Sequence, residues 1–138
     1  MASGVRINSA VMFVQELDRS LRFYLDLLGL TLVSRDPTAA LLASPAGAHL
    51  ILRSMGKNAP HPLGSVGVQY VVWTAGGEDE LAHYERVLRD HSAYLETRSS
   101  GGVTVVEGRD PDGVVVMITY PGLDEVPPRE LPARIYGW

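Results

Sequence analysis

Residues 17–30 have the sequence LDRSLRFYLDLLGL, and this stretch decides the fold. Its apolar residues include positions 17, 21, 24, 25 and 28, which is the spacing of one face of an α-helix. Gly29 follows directly, and glycine readily adopts the left-handed conformation that ends a helix. The pattern therefore predicts an amphipathic helix over 17–28, whose apolar side needs another element to cover it.

The pattern around this helix predicts two copies of one order of elements, in which a strand and a helix precede three further strands. Runs of strand-forming residues are separated by turn signals such as the DPDG sequence at 110–113. In the first copy the predicted strands are 5–14, 30–34, 39–43 and 49–53. In the second copy the predicted helix is 78–89, and the predicted strands are 66–74, 94–98, 103–109 and 114–120.

The two copies predict an α+β protein made of two βαβββ modules, over 1–54 and 66–122. Residues 55–65 form the predicted linker, and a Pro-rich tail occupies 123–138. The helix of each module covers one face of its sheet. We therefore expect curved mixed sheets whose other faces surround a cavity, or pack on each other if no cavity is left.

Composition excludes several classes of function. The chain has 12 Lys+Arg against 16 Asp+Glu, a formal net charge of −4, and lacks a block of basic residues. These features argue against nucleic-acid binding. It has no cysteine, and hence no disulfide, no thiolate nucleophile and no cysteine-based metal site. Neither a signal peptide nor a membrane-spanning apolar run is apparent, so we expect a cytoplasmic protein.

The helix at 17–30, with GGV at 101–103 and DPDGV at 110–114, resembles the vicinal oxygen chelate superfamily. That superfamily contains glyoxalase I, bleomycin-resistance proteins and extradiol dioxygenases. The resemblance covers about residues 5–121 in register, including both copies. It implies the curved-sheet fold expected above, and the similarity to bleomycin-resistance members implies a homodimer.

The resemblance also identifies four positions where metal-dependent members carry a His or a Glu. In this sequence they fall on Ser9, Ile51, Gln69 and Met117. Divalent ions need imidazole nitrogens or carboxylate oxygens, and these four side chains supply neither. We therefore predict no metal and no other cofactor, which removes most support for a glyoxalase or an extradiol dioxygenase.

Side chains alternate between the two faces of a strand, so each of these positions identifies neighbours that face the same way. The resulting apolar and aromatic composition is typical of a site for a small organic molecule. Trp73 and Phe13 would stack on a planar ligand, while Gln69 and Ser9 would orient it. The predicted ligand-binding residues are Ser9, Val11, Phe13, His49, Ile51, Arg53, Gln69, Val71, Trp73, Glu107, Met117 and Thr119.

Two functional interpretations remain open. The first is a metal-free protein that binds and sequesters an aromatic or antibiotic-like molecule. The second is a metal-independent lyase, isomerase or cyclase acting on a carbonyl compound. In that case Glu107 or His49, the two weak catalytic candidates, would move a proton, and Gln69 or Arg53 would polarise an oxygen. A structural dimer with a collapsed pocket is a third and weaker interpretation.

The C-terminal tail also has two interpretations. Its prolines at 127, 128 and 132 oppose regular structure and would suit a loose end. Its apolar residues favour docking instead, either onto a groove of the protein or onto a partner subunit. These residues are Leu131, Ile135, Tyr136 and Trp138.

Overall fold

The computed structural model describes residues 4–60, 68–127 and Ile135. The chain divides into two compact units, Met1–Pro60 and His61–Trp138. The division falls within the predicted linker 55–65. Each unit has the element order βαβββ, so the predicted fold of two such modules with mixed sheets is confirmed.

The first unit is a four-stranded sheet with one helix. Its elements are β1 (Ser9–Val14), α1 (Leu17–Leu28), β2 (Thr31–Arg35), β3 (Ala39–Ala43) and β4 (His49–Ser54). The strand order is β1-β4-β3-β2, and β1 lies parallel to β4 while the other neighbours are antiparallel. The parallel pair arises because the chain crosses through α1 before the three antiparallel strands return.

The second unit repeats this arrangement. Its elements are β5 (Val71–Thr74), α2 (Glu78–Asp90), β6 (Tyr94–Ser100), β7 (Val103–Arg109) and β8 (Val115–Tyr120), followed by a 3₁₀ turn at Leu123–Glu125. The strand order is β5-β8-β7-β6, with β5 parallel to β8. The two units therefore share one topology, as the internal repeat in the sequence predicts.

Helix α1 covers one face of the first sheet, as its apolar spacing predicts. The side chains beneath it come from alternate positions of β3 and β4, and they are fully or almost fully buried. Gly29 ends the helix with φ 62°, and its N–H donates to the Leu25 carbonyl at 3.1 Å. The buried strand residues on this side are Ala40, Leu42, Leu50 and Leu52.

Helix α2 packs closely on the second sheet at Gly108. A Cβ at that position would lie 2.8 Å from Leu88 Cδ2 and 2.6 Å from the Ala93 carbonyl oxygen. Glycine is therefore required where the helix and the turn after it approach β7. This contact also shows that Gly108 faces α2, so Glu107 and Arg109 face the opposite side of the sheet.

Two predicted strands are shorter than the sequence suggested. The run at 5–14 forms a strand only from Ser9, because its partner β4 begins at His49. The run at 66–74 pairs only over Val71–Thr74. Residues 66 and 67 lie outside the part of the chain that the structure describes.

Candidate functional site

The first sheet has an open face on the side away from α1. The ladder pairs Ser9 with His49, Val11 with Ile51 and Phe13 with Arg53, and β3 adds Leu41 beside Ile51. Paired residues of adjacent strands point to the same side, so all seven share one surface. We call this surface, formed by Ser9, Val11, Phe13, Leu41, His49, Ile51 and Arg53, the repeat-one face.

Large apolar groups on the repeat-one face are exposed. Val11 is 58% exposed and Phe13 is 61% exposed, while Leu41 and Ile51 are half-buried. Exposing aromatic and aliphatic side chains side by side is unfavourable in water, and such patches commonly mark binding surfaces. The predicted orientations of Val11, Phe13 and Ile51 agree with the register. Leu41 was missing from the predicted site, although alternation in β3 would have identified it.

Polar groups lie at both ends of this apolar row. Arg53 is exposed, and its ladder neighbours are Phe13 on one side and Ala39 on the other. At the other end His49 is half-buried and adjacent to Ser9, whose hydroxyl donates to the Asn8 side-chain oxygen. The His49 Nδ1 atom is buried without a hydrogen-bond partner among the described residues.

The corresponding face of the second sheet is closed. Val103, Val105 and Met117 form a buried apolar cluster, and Met117 is only 1% exposed. Residues beyond the last strand supply part of its cover. The partly buried residues packed on the cluster are Tyr70, Val72, Val115, Leu123, Val126 and Ile135.

The contacts of Leu123, Val126 and Ile135 show part of the C-terminal tail docked onto its own unit. This agrees with the predicted docking of an apolar tail onto a groove. Leu131, Tyr136 and Trp138, the other apolar tail residues, lie outside the described residues. Because this cluster is covered, the repeat-one face is the more accessible of the two equivalent sheet surfaces.

The predicted orientation of two residues in β5 is wrong. Val71 and Trp73 were expected to share a face with Met117, but the ladder pairs Val72 with Met117 and places Val71 and Trp73 beside Val116 and Ile118. They therefore lie on the opposite side of the sheet from Met117. Gln69, expected on the same face, precedes β5 and is exposed.

Glu107 and Thr119 do share the face of Met117, as expected. Glu107 pairs with Met117 in the ladder and is 4% exposed, and Thr119 is fully buried. The Thr119 hydroxyl oxygen has no hydrogen-bond partner among the described residues. In this conformation a substrate has almost no access to the Glu107 carboxylate, which weakens the case for a general base there.

The four positions that correspond to metal ligands carry neither a carboxylate nor an imidazole. Ser9 and Ile51 lie on the repeat-one face, while Met117 is buried and Gln69 is exposed. Across residues 4–60, 68–127 and 135, no group of three or more His, Asp or Glu side chains is placed to hold a metal ion. A hydroxyl, an amide, an alkyl group and a thioether do not provide the donors that divalent ions prefer.

A separate polar groove of about 350 Å³ lies on the first unit near the start of α1. Its charged groups mainly neutralise one another: Arg19 pairs with Glu16 at 3.2 Å, and Arg35 pairs with Asp18. Arg22 also lines this groove. None of its lining residues belongs to the repeat-one face.

The fold places this protein in the class built from two βαβββ modules. The sequence profile of the Glyoxalase/Bleomycin resistance protein/Dioxygenase superfamily matches residues 6–118. That match spans most of the chain, so the protein belongs to this superfamily, and the resemblance to vicinal oxygen chelate proteins is confirmed. Among curated proteins, none matches the sequence.

Solved structures share the fold at low sequence identity. A glyoxylase/bleomycin resistance protein/dioxygenase domain from Frankia sp. EAN1pec is 21% identical, with a TM-score of 0.68 over 86% of this chain and 92% of that chain. Lactoylglutathione lyase from Agrobacterium tumefaciens is 18% identical, with a TM-score of 0.66 over 86% of this chain and 95% of that chain. A glyoxalase/dioxygenase from Nostoc punctiforme is 16% identical, with a TM-score of 0.70 over 86% of this chain and 97% of that chain.

These structural similarities establish the architecture and leave the activity open, because one fold supports many functions. No helix within the described residues has the length and apolar character needed to cross a membrane.

Proposed function

We propose that this protein binds a small, planar organic molecule on the repeat-one face without the help of a metal ion. The observation that carries the proposal is the row of Val11, Ile51 and Leu41 beside Phe13, with both Val11 and Phe13 largely exposed. An aromatic ligand covering this row would remove apolar surface from water and stack on the Phe13 ring.

The donor set supports metal-free binding. The side chains that replace the family's metal ligands are uncharged, so they do not compensate an ion for its lost hydration. Orientation of the ligand then comes from hydrogen bonds and from the charge of Arg53. Ser9 and His49 supply polar groups at the opposite end of the row.

A metal-independent lyase, isomerase or cyclase is the second candidate, because His49 shares the repeat-one face with Arg53. On such an enzyme His49 would transfer a proton and Arg53 would polarise a substrate oxygen. A catalytic base usually has a partner that orients it, and the described residues give His49 Nδ1 no such hydrogen bond. Binding without chemistry therefore ranks first.

Equilibrium binding of 2-naphthamide, a neutral planar probe, tests the proposed function. We expect the wild-type protein to bind it and Phe13→Ala to bind it at least several-fold more weakly. Leu95→Ala is the matched control, because Leu95 is an exposed apolar residue on β6 of the other unit. If Phe13→Ala and Leu95→Ala both bind as the wild type does, the repeat-one face is not the site.

Association of two chains and a cytoplasmic location are further proposals that follow from the family resemblance and the sequence. A molar mass near twice the 15.0 kDa chain mass in light scattering supports the homodimer. A mass equal to one chain at all concentrations contradicts it.

A further inference from the structure

The repeat-one face has different chemistry at its two ends. Arg53 and Phe13 lie side by side at one end, and His49 and Ser9 lie side by side at the other. Arg53 lies four positions after His49 along β4, which places the two ends roughly 13 Å apart at the usual rise of a strand. The row between them is apolar, so a ligand lying along it meets the Arg53 guanidinium at one end and the His49 and Ser9 side chains at the other.

Arg53 is available for a ligand. Among the described residues of the first unit, Arg19 and Arg35 form ion pairs, whereas Arg53 has neither a salt bridge nor a side-chain hydrogen bond to any of them. Its neighbour on β3 is Ala39, whose single methyl group leaves space beside the guanidinium. An exposed arginine next to an apolar row is suited to an anionic group attached to an apolar body.

We infer that the ligand is a planar aromatic carboxylate, with its ring on Phe13, Val11 and Ile51 and its carboxylate on Arg53. The inference rests on the proposed function and specifies its ligand class. A guanidinium offers two parallel N–H donors that match the two oxygens of a carboxylate. Among the seven residues of the repeat-one face, Arg53 is the one arginine or lysine, which matches the single charge of a carboxylate.

Calorimetric titration with 2-naphthoate and with 2-naphthamide separates charge recognition from burial of the ring. The two probes have the same ring system, and only the first carries a negative charge. We expect the wild type to bind 2-naphthoate at least about fivefold more tightly than 2-naphthamide. Arg53→Gln should remove this preference while leaving the affinity for 2-naphthamide nearly unchanged, and Arg53→Lys should retain part of it.

Arg22→Gln is the matched control, since Arg22 is an exposed arginine of the same unit that lines the separate polar groove. It should bind both probes as the wild type does. Far-UV circular dichroism of each variant confirms that the sheets are intact. Loss of the 2-naphthoate preference in Arg22→Gln, with Arg53→Gln unaffected, would place the anion in the groove and overturn the inference.

The remaining outcomes separate the two proposals. Equal affinity of the wild type for both probes, unaffected by Arg53→Gln, refutes recognition of a carboxylate and leaves the proposed function standing. Absence of binding by either probe at millimolar concentration contradicts the proposed function together with the inference. A preference that depends on Arg53 supports both.

Discussion

The two phenylalanines of the chain provide a direct test of whether the repeat-one face is open. Phe13 is on β1 and is 61% exposed, whereas Phe23 is on α1 and is 3% exposed. The Phe23 ring also makes an edge-on contact with Tyr24, with 5.1 Å between ring centroids. The same substitution to alanine should therefore have very different effects at the two positions.

The expected magnitudes follow from the buried fraction. Full burial of a phenylalanine contributes about 1.5–3 kcal/mol, and roughly two-fifths of Phe13 is covered, so Phe13→Ala should lower the free energy of unfolding by about 1 kcal/mol. Phe23→Ala removes a buried ring, leaves a void in the core and should cost about 3–5 kcal/mol. Urea denaturation followed by far-UV circular dichroism measures both values.

Binding provides the second half of this test. Phe13→Ala should weaken binding of 2-naphthamide, because the ring on which the probe stacks is removed. If Phe13→Ala destabilises the protein as much as Phe23→Ala, the Phe13 side chain is buried in solution. The repeat-one face would then be a packed surface, and the proposed ligand site would be refuted.

Five further substitutions, at Thr119, Thr104, Asp110 and Tyr84, test the described interactions by urea denaturation. Thr119→Val replaces a buried hydroxyl that has no hydrogen-bond partner among the described residues, so it should raise the free energy of unfolding by about 1 kcal/mol. Its control is Thr104→Val, which removes a 2.9 Å hydrogen bond with the Ser99 hydroxyl and should lower the free energy of unfolding. Asp110→Ala should lower the free energy of unfolding by about 2–3 kcal/mol, because Oδ1 accepts two backbone N–H groups at 2.8 and 2.9 Å, while Asp110→Asn keeps an acceptor there and should cost less. Burial, and then the nearby Glu80 carboxylate, raise the pKa of Tyr84, so the folded state holds this proton more tightly than the unfolded state. The stabilisation is complete below the ordinary tyrosine pKa of about 10 and is lost as pH rises through the higher folded value, so stability should fall more steeply above about pH 10 in the wild type than in Tyr84→Phe.

Much of the fold was predictable because each repeat carries a strong local pattern. The spacing of apolar residues identified α1 over Leu17–Leu28, and Gly29 marked its end. The second helix was predicted to end at residue 89 and ends at Asp90. Turn sequences such as 110–113 separated the strands, since Asp110 accepts hydrogen bonds from the backbone of its own turn.

The candidate site was predicted better in the first repeat than in the second. In β1, exposed Ser9, Val11 and Phe13 alternate with more buried residues, so the phase of the strand is visible. In β5 the first three residues, Val71, Val72 and Trp73, are all apolar and half-buried, and only pairing with β8 reveals which of them share a face with Met117. The phase of Val71 and Trp73 therefore depends on long-range contacts that a local pattern does not contain.

Closure of the second sheet face also depends on long-range contacts. The sequence favoured docking of an apolar tail but did not identify its target. Packing of Leu123, Val126 and Ile135 on Val103, Val105 and Met117 gives part of the answer. The ligand-binding roles of the predicted site residues stay predictions until binding is measured.

Metal content of the untagged protein tests the central claim most directly. The protein is equilibrated with excess Zn²⁺, Ni²⁺, Fe²⁺ or Mn²⁺, dialysed against metal-free buffer and measured by inductively coupled plasma mass spectrometry. We predict far less than one ion per chain for each metal, because Ser9, Ile51, Gln69 and Met117 do not supply charged or imidazole ligands. Retention of close to one ion per chain would contradict metal-free binding.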